Sequence, residues 1–176
     1  MKINICFALL IFVSTLAYSQ DIFINGVNKN KPLTWDDFKG QPDRNSSHDA
    51  FTVWNITYSL GGISFKGDTI KVSSFLVKLE FDEKQSWSKP EKQTSILLKH
   101  EQGHFDIGLI CQRQILKQFN ETVFLKSDFQ NKIQTIFSSI LEKYHLLGLK
   151  YDEETGHSRN QAAQENWNNF FATELK

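Results

Sequence analysis

Cysteine is scarce in this chain of 176 residues, which contains only Cys6 and Cys111. Cys6 lies in an apolar N-terminal stretch that we expect to be removed, which leaves Cys111 alone. A single cysteine cannot form an intramolecular disulfide, so the fold must be stabilised by its core and by any metal that it binds. Cys111 lies about 10 Å along a helix from His104, too far for both to bind one zinc ion. We therefore expect Cys111 to be a small core residue.

An excess of charge of either sign is also missing, since 20 Lys and Arg residues balance 20 Asp and Glu residues. This balance gives no electrostatic reason to expect nucleic acid or an anionic membrane surface as a partner. The chain does contain 15 Phe and 4 Trp residues, which predict a substantial aromatic core and favour an aromatic-lined cleft. No internal repeat and no long linker divides the sequence, so we expect one domain.

Long apolar runs are missing except at the N-terminus, where Lys2 precedes an apolar stretch over residues 3–16 and then Ala17-Tyr18-Ser19. This order is typical of a secretory signal peptide, and we predict that residues 1–19 are removed. The mature domain, residues 20–176, would then be periplasmic or extracellular and would not be inserted in a membrane. An uncleaved anchor is the weaker alternative, because a spanning helix needs roughly 20 apolar residues.

The strongest motif in the chain is His100-Glu101-Gln102-Gly103-His104. In a helix, His100 and His104 lie one turn apart on the same face, close enough for both imidazoles to bind one zinc ion. Glu101 lies about 100° round the helix from His100, so its carboxylate is beside the metal and can accept a proton from water. We therefore predict Zn²⁺ as the cofactor, His100 and His104 as metal ligands, and Glu101 as the catalytic base.

The rest of the pattern predicts an α+β fold in which a small antiparallel sheet precedes a helical part. Residues 51–60 are rich in β-branched and aromatic side chains, and residues 75–81 alternate apolar and polar side chains. Residues 63–65 are a short candidate partner strand. We expect the first long helix, which carries the histidine motif, to begin near residue 91 or 94 and to end near residue 119.

Two further helices are expected after the motif helix. One is predicted over residues 127–147, with Gly148 at its end, and the other over residues 159–175. Residues 151–158 would then form a loop between them. This loop contains a dense group of possible metal ligands.

A catalytic zinc site normally has a third protein ligand. The metzincin pattern would need Gly and His where this chain has Ile107 and Ile110, so that class is excluded. Our prediction for the third ligand is His157, because the second helix can fold back antiparallel to the first and bring the following loop to the site. The alternatives left open are the carboxylates of Asp152, Glu153 and Glu154.

Other polar groups are expected to have structural or solvent roles. Asp106 should belong to the polar stripe of the motif helix, about 140° from the mean direction of the two histidines. His48 is expected in a solvated loop, and His145 near a helix C-terminus, where a cation is favoured. Tyr151 is expected to be a packed aromatic, with donation to a developing oxyanion as its alternative role.

Three segments of the chain together resemble a known family. They are Leu33-Thr34-Trp35-Asp36-Asp37-Phe38-Lys39-Gly40, His100-Glu101-Gln102-Gly103-His104-Phe105-Asp106-Ile107, and Tyr151-Asp152 with Thr155 and His157. These segments are similar to those of a bacterial family of unknown function that is described as predicted secreted zinc-dependent proteases. The resemblance implies an exported, zincin-like metallopeptidase in which His100 and His104 bind zinc and Glu101 is catalytic.

The sequence therefore predicts a zinc-dependent peptidase with a peptide or protein as its substrate. One alternative is a zinc-stabilised binding module without turnover, although such a site would not need Glu101. A second alternative is a zinc hydrolase that acts on a non-protein amide, such as a bond in a cell-wall peptide. The motif specifies the activation of water and leaves the bond that is cleaved open.

Overall fold

The computed structural model describes residues 22–24, 27–28 and 32–176. The predicted signal segment, residues 1–19, lies outside the described residues, so its assignment stays a prediction. Within the described ranges, none of the helices combines the length and apolar character needed to cross a membrane.

The described residues form short strands in three small sheets. The strands are β1 (Ile22–Ile24), β2 (Val27–Asn28), β3 (Ala50–Phe51), β4 (Trp54–Leu60), β5 (Ile63–Lys66), β6 (Thr69–Val72), β7 (Phe75–Phe81), β8 (Trp87–Ser88) and β9 (Phe124–Leu125). The largest sheet has the order β2-β1-β7-β4, while β3 pairs with β8, and β5, β6 and β9 form the third sheet. All pairs are antiparallel except β1 with β7. The prediction of small antiparallel sheets is confirmed, with one parallel pair that the pattern did not indicate.

Three helices follow the main strands, which confirms the α+β class. They are α1 (Ser95–Glu121), α2 (Phe129–Thr155) and α3 (Gln161–Glu174). Thr94 begins α1, because its hydroxyl accepts a hydrogen bond from the Leu97 N–H at 3.1 Å. Asn160 caps α3 in the same way, with its Oδ1 3.2 Å from the Ala163 nitrogen.

The predicted end of the second helix was wrong. Helix α2 continues through Gly148 to Thr155, and Gly156 ends it with a left-handed backbone at φ 56°. A glycine in a helix interior costs about 1 kcal/mol relative to alanine but does not break the helix. The extra turns bury Tyr151 and Thr155, both 0% exposed, and this burial favours continuation. The segment expected to be a loop is therefore mostly helical.

The strand expected over residues 51–60 is interrupted. β3 pairs with β8 and β4 pairs with β7, and Thr52 and Val53 lie between them. Neighbouring groups satisfy the backbone of Val53 at this break: its N–H donates to Ser86 Oγ at 2.9 Å, and its carbonyl accepts from the Asp82 N–H at 2.9 Å. The break turns the chain beside α1.

Helix α1 is packed between the largest sheet on one side and helices α2 and α3 on the other. Two glycines permit this close packing. A Cβ at Gly108 would lie 3.0 Å from both Leu79 and Trp54, and a Cβ at Gly103 would overlap the Tyr151 hydroxyl and lie 2.9 Å from Phe171. Because the two glycines face opposite partners, α1 can approach both layers.

Cys111 lies in this core, as expected from its isolation in the sequence. Its side chain is 0% exposed, and the burial raises the pKa of its thiol to about 12. The thiol is therefore protonated and is not available as a metal ligand.

The two glycines in the middle of helices α1 and α2 provide a matched test of packing. We expect Gly103→Ala to lower the free energy of unfolding by about 1–3 kcal/mol, because the methyl group overpacks the contact with Tyr151 and Phe171. Gly148→Ala is the control: apart from its own helix backbone, the only described atom that its Cβ would meet is His104 Nδ1, at 4.0 Å, so we expect stabilisation of up to about 1 kcal/mol. Urea unfolding curves measure both, and equal effects of the same sign would contradict the packing role of Gly103.

Candidate metal centre

Three imidazoles converge on one carboxylate oxygen. Asp152 Oδ1, on the last turn of α2, lies 3.1 Å from His100 Nε2 and 3.0 Å from His104 Nε2, both on α1. His157 Nδ1, just beyond α2, is 3.1 Å from the same oxygen. Three of these residues each offer one possible ligand atom, and the three atoms lie within 4.8 Å of one another; the residues are His100, Asp152 and His157. The fold thus brings together all three predicted ligands and one of the alternatives.

The end of α2 determines where His157 lies. Gly156, His157 and Ser158 have φ angles of 56°, 53° and 75°, so three successive residues are left-handed. The His157 N–H donates to the Asp152 carbonyl at 3.1 Å, which closes the helix end. Positive φ is unfavourable for residues other than glycine, and such strain clusters at functional sites. His157 is therefore held against Asp152 by an unusual backbone rather than by burial, since its side chain is 43% exposed.

The other two candidate carboxylates are not at the centre. Glu153 is exposed on α2. Glu154 accepts a hydrogen bond from Trp167 Nε1 at 2.8 Å and pairs with Lys150 at 3.6 Å. Of the alternatives left open by the sequence, Asp152 is thus the one that contacts the histidines.

His100 is oriented from its far side by Gln164 of α3. Gln164 Oε1 lies 3.1 Å from His100 Nδ1, while Gln164 Nε2 donates to the Tyr151 hydroxyl at 2.7 Å. The Tyr151 hydroxyl in turn donates to the His100 carbonyl at 3.1 Å. With the amide oriented in this way, His100 Nδ1 must be the donor, and a neutral His100 then presents the lone pair of Nε2 to the centre.

The donor atoms of the centre, imidazole nitrogens and a carboxylate oxygen, are types that bind zinc. The nitrogen–oxygen separations of 3.0–3.1 Å are close to the edge of about 3.3–3.4 Å in a coordination tetrahedron with bonds of 2.0–2.1 Å. With His100 Nδ1 as a donor, either a proton on Nε2 or a bound cation must lie between His100 Nε2 and Asp152 Oδ1. The Gln164 amide provides the outer hydrogen bond that metal-binding histidines usually make.

The charge balance of the centre follows from its contacts. Burial alone would lower the pKa of His104, but the hydrogen bond to Asp152 and the nearby charges of Glu101 and Asp152 outweigh it and raise that pKa above its ordinary value. Burial would raise the pKa of Asp152, yet the hydrogen bonds to His100 and His104 hold it far below its usual range. Asp152 is therefore ionised, as a ligand must be, and metal binding to His104 would displace a proton.

Glu101 is adjacent to this centre and is held by Thr52. Its side chain is buried, and Thr52 Oγ1 donates to Glu101 Oε2 at 2.7 Å. The same hydroxyl lies 3.3 Å from the Glu101 carbonyl oxygen. The strand break between β3 and β4 therefore orients the predicted base.

Four other groups singled out in the sequence lie around the centre without joining it. Tyr151 is buried, stacks on His100 with ring centroids 4.6 Å apart and has its hydroxyl occupied, which favours the packed role. Asp106 accepts from Gln102 Nε2 at 2.8 Å, and burial raises its pKa. His48 contacts the His157 ring edge-on at 4.6 Å, and His145 lines a cleft next to the centre.

A cleft of about 370 Å³ opens beside His104 and Asp152. One wall is the chain from Phe51 to Trp54, and the opposite wall is α2 between Leu141 and Asp152. Clefts of this size are typical of ligand sites. A ligand in this cleft would be in contact with the candidate metal centre.

Sequence reasoning missed two residues that orient the site, Thr52 and Gln164. Gln164 is three residues before Trp167 and seven before Phe171, so it is a polar residue on the apolar face of α3, and this pattern could have revealed it. Thr52 gave no such signal, because its role depends on a strand break.

The fold and site define an α+β protein whose first long helix presents two histidines and a glutamate beside a cleft. A family model described as bacterial protein of unknown function (DUF922) matches residues 31–158, more than two thirds of the chain. The chain therefore belongs to this family, and the match covers all three segments that carried the resemblance. No curated protein and no solved structure matches the chain. The family description names no activity, so the protease function stays a prediction.

The hydroxyl of Tyr151 connects Gln164 to the backbone of the motif. We expect Tyr151→Phe to lower the free energy of unfolding by about 1–3 kcal/mol, because the Gln164 amide and the His100 carbonyl lose a buried partner. Tyr144→Phe is the matched control, since Tyr144 is also buried but its hydroxyl makes no hydrogen bond within the described residues. Thermal and urea unfolding compare the two variants, and equal stabilities would show that the Tyr151 hydroxyl does not contribute to the free energy of unfolding.

Proposed function

We propose that this protein is a zinc-dependent hydrolase of peptide bonds. The observation that carries the proposal is the convergence of His100, His104 and Asp152 on one point, beside a cleft and next to Glu101. A partly buried group of this kind is costly without a cation or a proton to balance it. A site with three protein ligands leaves a coordination position for water, which is typical of catalytic zinc.

We propose Asp152, rather than His157, as the third protein ligand. Asp152 is in contact with both motif histidines, and its side chain is 22% exposed. His157 contacts Asp152 alone among these groups, and its side chain is twice as exposed. In this arrangement His157 orients the carboxylate of Asp152 from the solvent side.

Each residue then has a defined task in the reaction. A bound zinc ion would lower the pKa of water and polarise the carbonyl of the scissile bond. Glu101 would accept the proton of the attacking water and pass it to the leaving amine. Thr52 would keep the Glu101 carboxylate in position, and Gln164 would keep the lone pair of His100 Nε2 directed at the metal.

The role of Glu101 is tested by Glu101→Gln. The amide keeps the shape and the contact with Thr52 but cannot accept a proton, so we expect peptide cleavage to fall by at least about 10²-fold while zinc content stays near one ion per chain. Mass spectrometry of digested peptides and elemental analysis measure the two quantities. Cleavage at the wild-type rate would refute the mechanism.

The choice of ligand is tested by comparing Asp152→Ala with His157→Ala. We expect Asp152→Ala to lose at least about 100-fold in zinc affinity, because it removes a donor, and His157→Ala to lose about tenfold, because it removes only a supporting contact. His145→Ala is the control, since His145 lines the cleft without contacting the centre. Competition with a chromogenic chelator gives the affinities. The reverse order would return His157 to the ligand set.

A second candidate function is a closed, structural zinc site that stabilises a binding module. The observation in its favour is that four groups, three imidazoles and one carboxylate, surround one point, as in four-coordinate structural sites. The buried Glu101 held by Thr52 argues against it, because a closed site does not need a base. Chelation that lowers the melting temperature of a protein unable to cleave any peptide would favour this candidate.

We also propose that the protein acts outside the cytoplasm. Support comes from the residue pattern of positions 1–19, which is typical of an export signal. The lone buried Cys111 is compatible with an oxidising compartment, because it leaves no accessible thiol in the mature chain.

A further inference from the structure

We infer that the cleft beside the candidate metal centre accepts one bulky apolar side chain of the substrate, and that Gly148 keeps this pocket open. The inference rests on the proposed function, because it assigns the pocket to a residue next to the cleaved bond. The pocket itself is a feature of the fold and can be tested by binding alone.

The lining of the cleft selects for apolar groups. Its apolar walls come from Phe51, Val53, Trp54, Ile107, Leu141 and Leu149. The acidic and histidine residues among the described lining are Asp152 and His104, which belong to the metal centre, and His145; no Lys or Arg lines the cleft there. A charged substrate side chain would thus find only His145 as a partner outside the metal centre, whereas an aliphatic or aromatic one would remove apolar surface from water.

Gly148 lies in the interior of α2, where glycine is unfavourable. The glycines at 103 and 108 are explained by close packing, since a Cβ at either would meet neighbouring side chains at 3.0 Å or less. Within the part of the chain that the structure describes, a Cβ at Gly148 would have one neighbour within 4 Å outside its own helix backbone, His104 Nδ1 at 4.0 Å. Packing therefore does not require glycine at 148, and the space that it leaves is part of the cleft.

The same geometry places the pocket relative to the chemistry. Gly148 faces one nitrogen of the His104 imidazole, and the other nitrogen contacts Asp152. A side chain that fills the space at Gly148 would lie against a proposed metal ligand. The substrate residue that carries this side chain would therefore adjoin the bond that is cleaved, and the size of residue 148 would determine which side chains fit.

The first experiment measures binding without catalysis. N-acetyl-L-leucinamide, N-acetyl-L-phenylalaninamide and N-acetyl-L-alaninamide are titrated into the wild-type protein, and NMR shifts of residues 51–54 and 148–149 report occupancy. We expect the two bulky amides to bind at least about tenfold more tightly than the alanine amide. We expect Gly148→Leu to abolish this preference and Gly148→Ala to weaken it, while Leu146→Ala, on an exposed position of α2, leaves it unchanged.

The second experiment measures cleavage of a peptide mixture by the wild type and the same variants. We expect wild-type cuts beside Leu, Phe and similar residues, and a shift of at least about tenfold towards Gly, Ala and Ser in Gly148→Leu. Circular dichroism confirms folding of each variant, and Gly148→Ala keeps the test valid if the leucine variant is unfolded. Selective binding with no cleavage would refute the proposed function but would support the proposed pocket. Equal binding of the three amides, or cleavage with no apolar preference, would overturn the pocket.

Discussion

The contact between Asp152 and the two motif histidines is the constraint on which the rest of the structure depends. It requires the last turn of α2 to lie directly over the first half of α1, and Gly103 provides the space for that approach. The sheet must then cover the opposite face of α1, where Gly108 has the same function. The aromatic core fills the remaining space, with Phe81 of β7 edge-on to Phe105 of α1 at 5.8 Å. The packing that stabilises the fold therefore also assembles the candidate site.

Much of this fold could be predicted from periodicity. The motif helix, a helix after it and a third amphipathic helix appear in the sequence because each buries one apolar stripe, and the two long strands of the largest sheet, β4 and β7, appear through β-branched residues and alternation. The positions of His100, Glu101 and His104 follow from helical spacing alone. What lies within one helix is local information, and a single sequence contains it.

The remainder depends on long-range packing. Gly148 resembled a helix end, and only the burial of Tyr151 and Thr155 explains why α2 continues. That error placed Asp152 in a loop, where it was no better a ligand candidate than its neighbours Glu153 and Glu154. In the helix the three carboxylates point in different directions. Asp152 faces α1, Glu153 faces solvent and Glu154 faces Trp167. Thr52 reaches Glu101 through a break between strands, which no local pattern specifies.

The family match ends at residue 158, whereas the amide that orients His100 belongs to Gln164 in α3. Every candidate ligand therefore precedes the group that fixes the tautomer of the first of them. During synthesis or export from the N-terminus, a nascent chain would hold all these donor atoms before α3 could dock. The orientation of His100 would then be completed only when α3 had packed against α1.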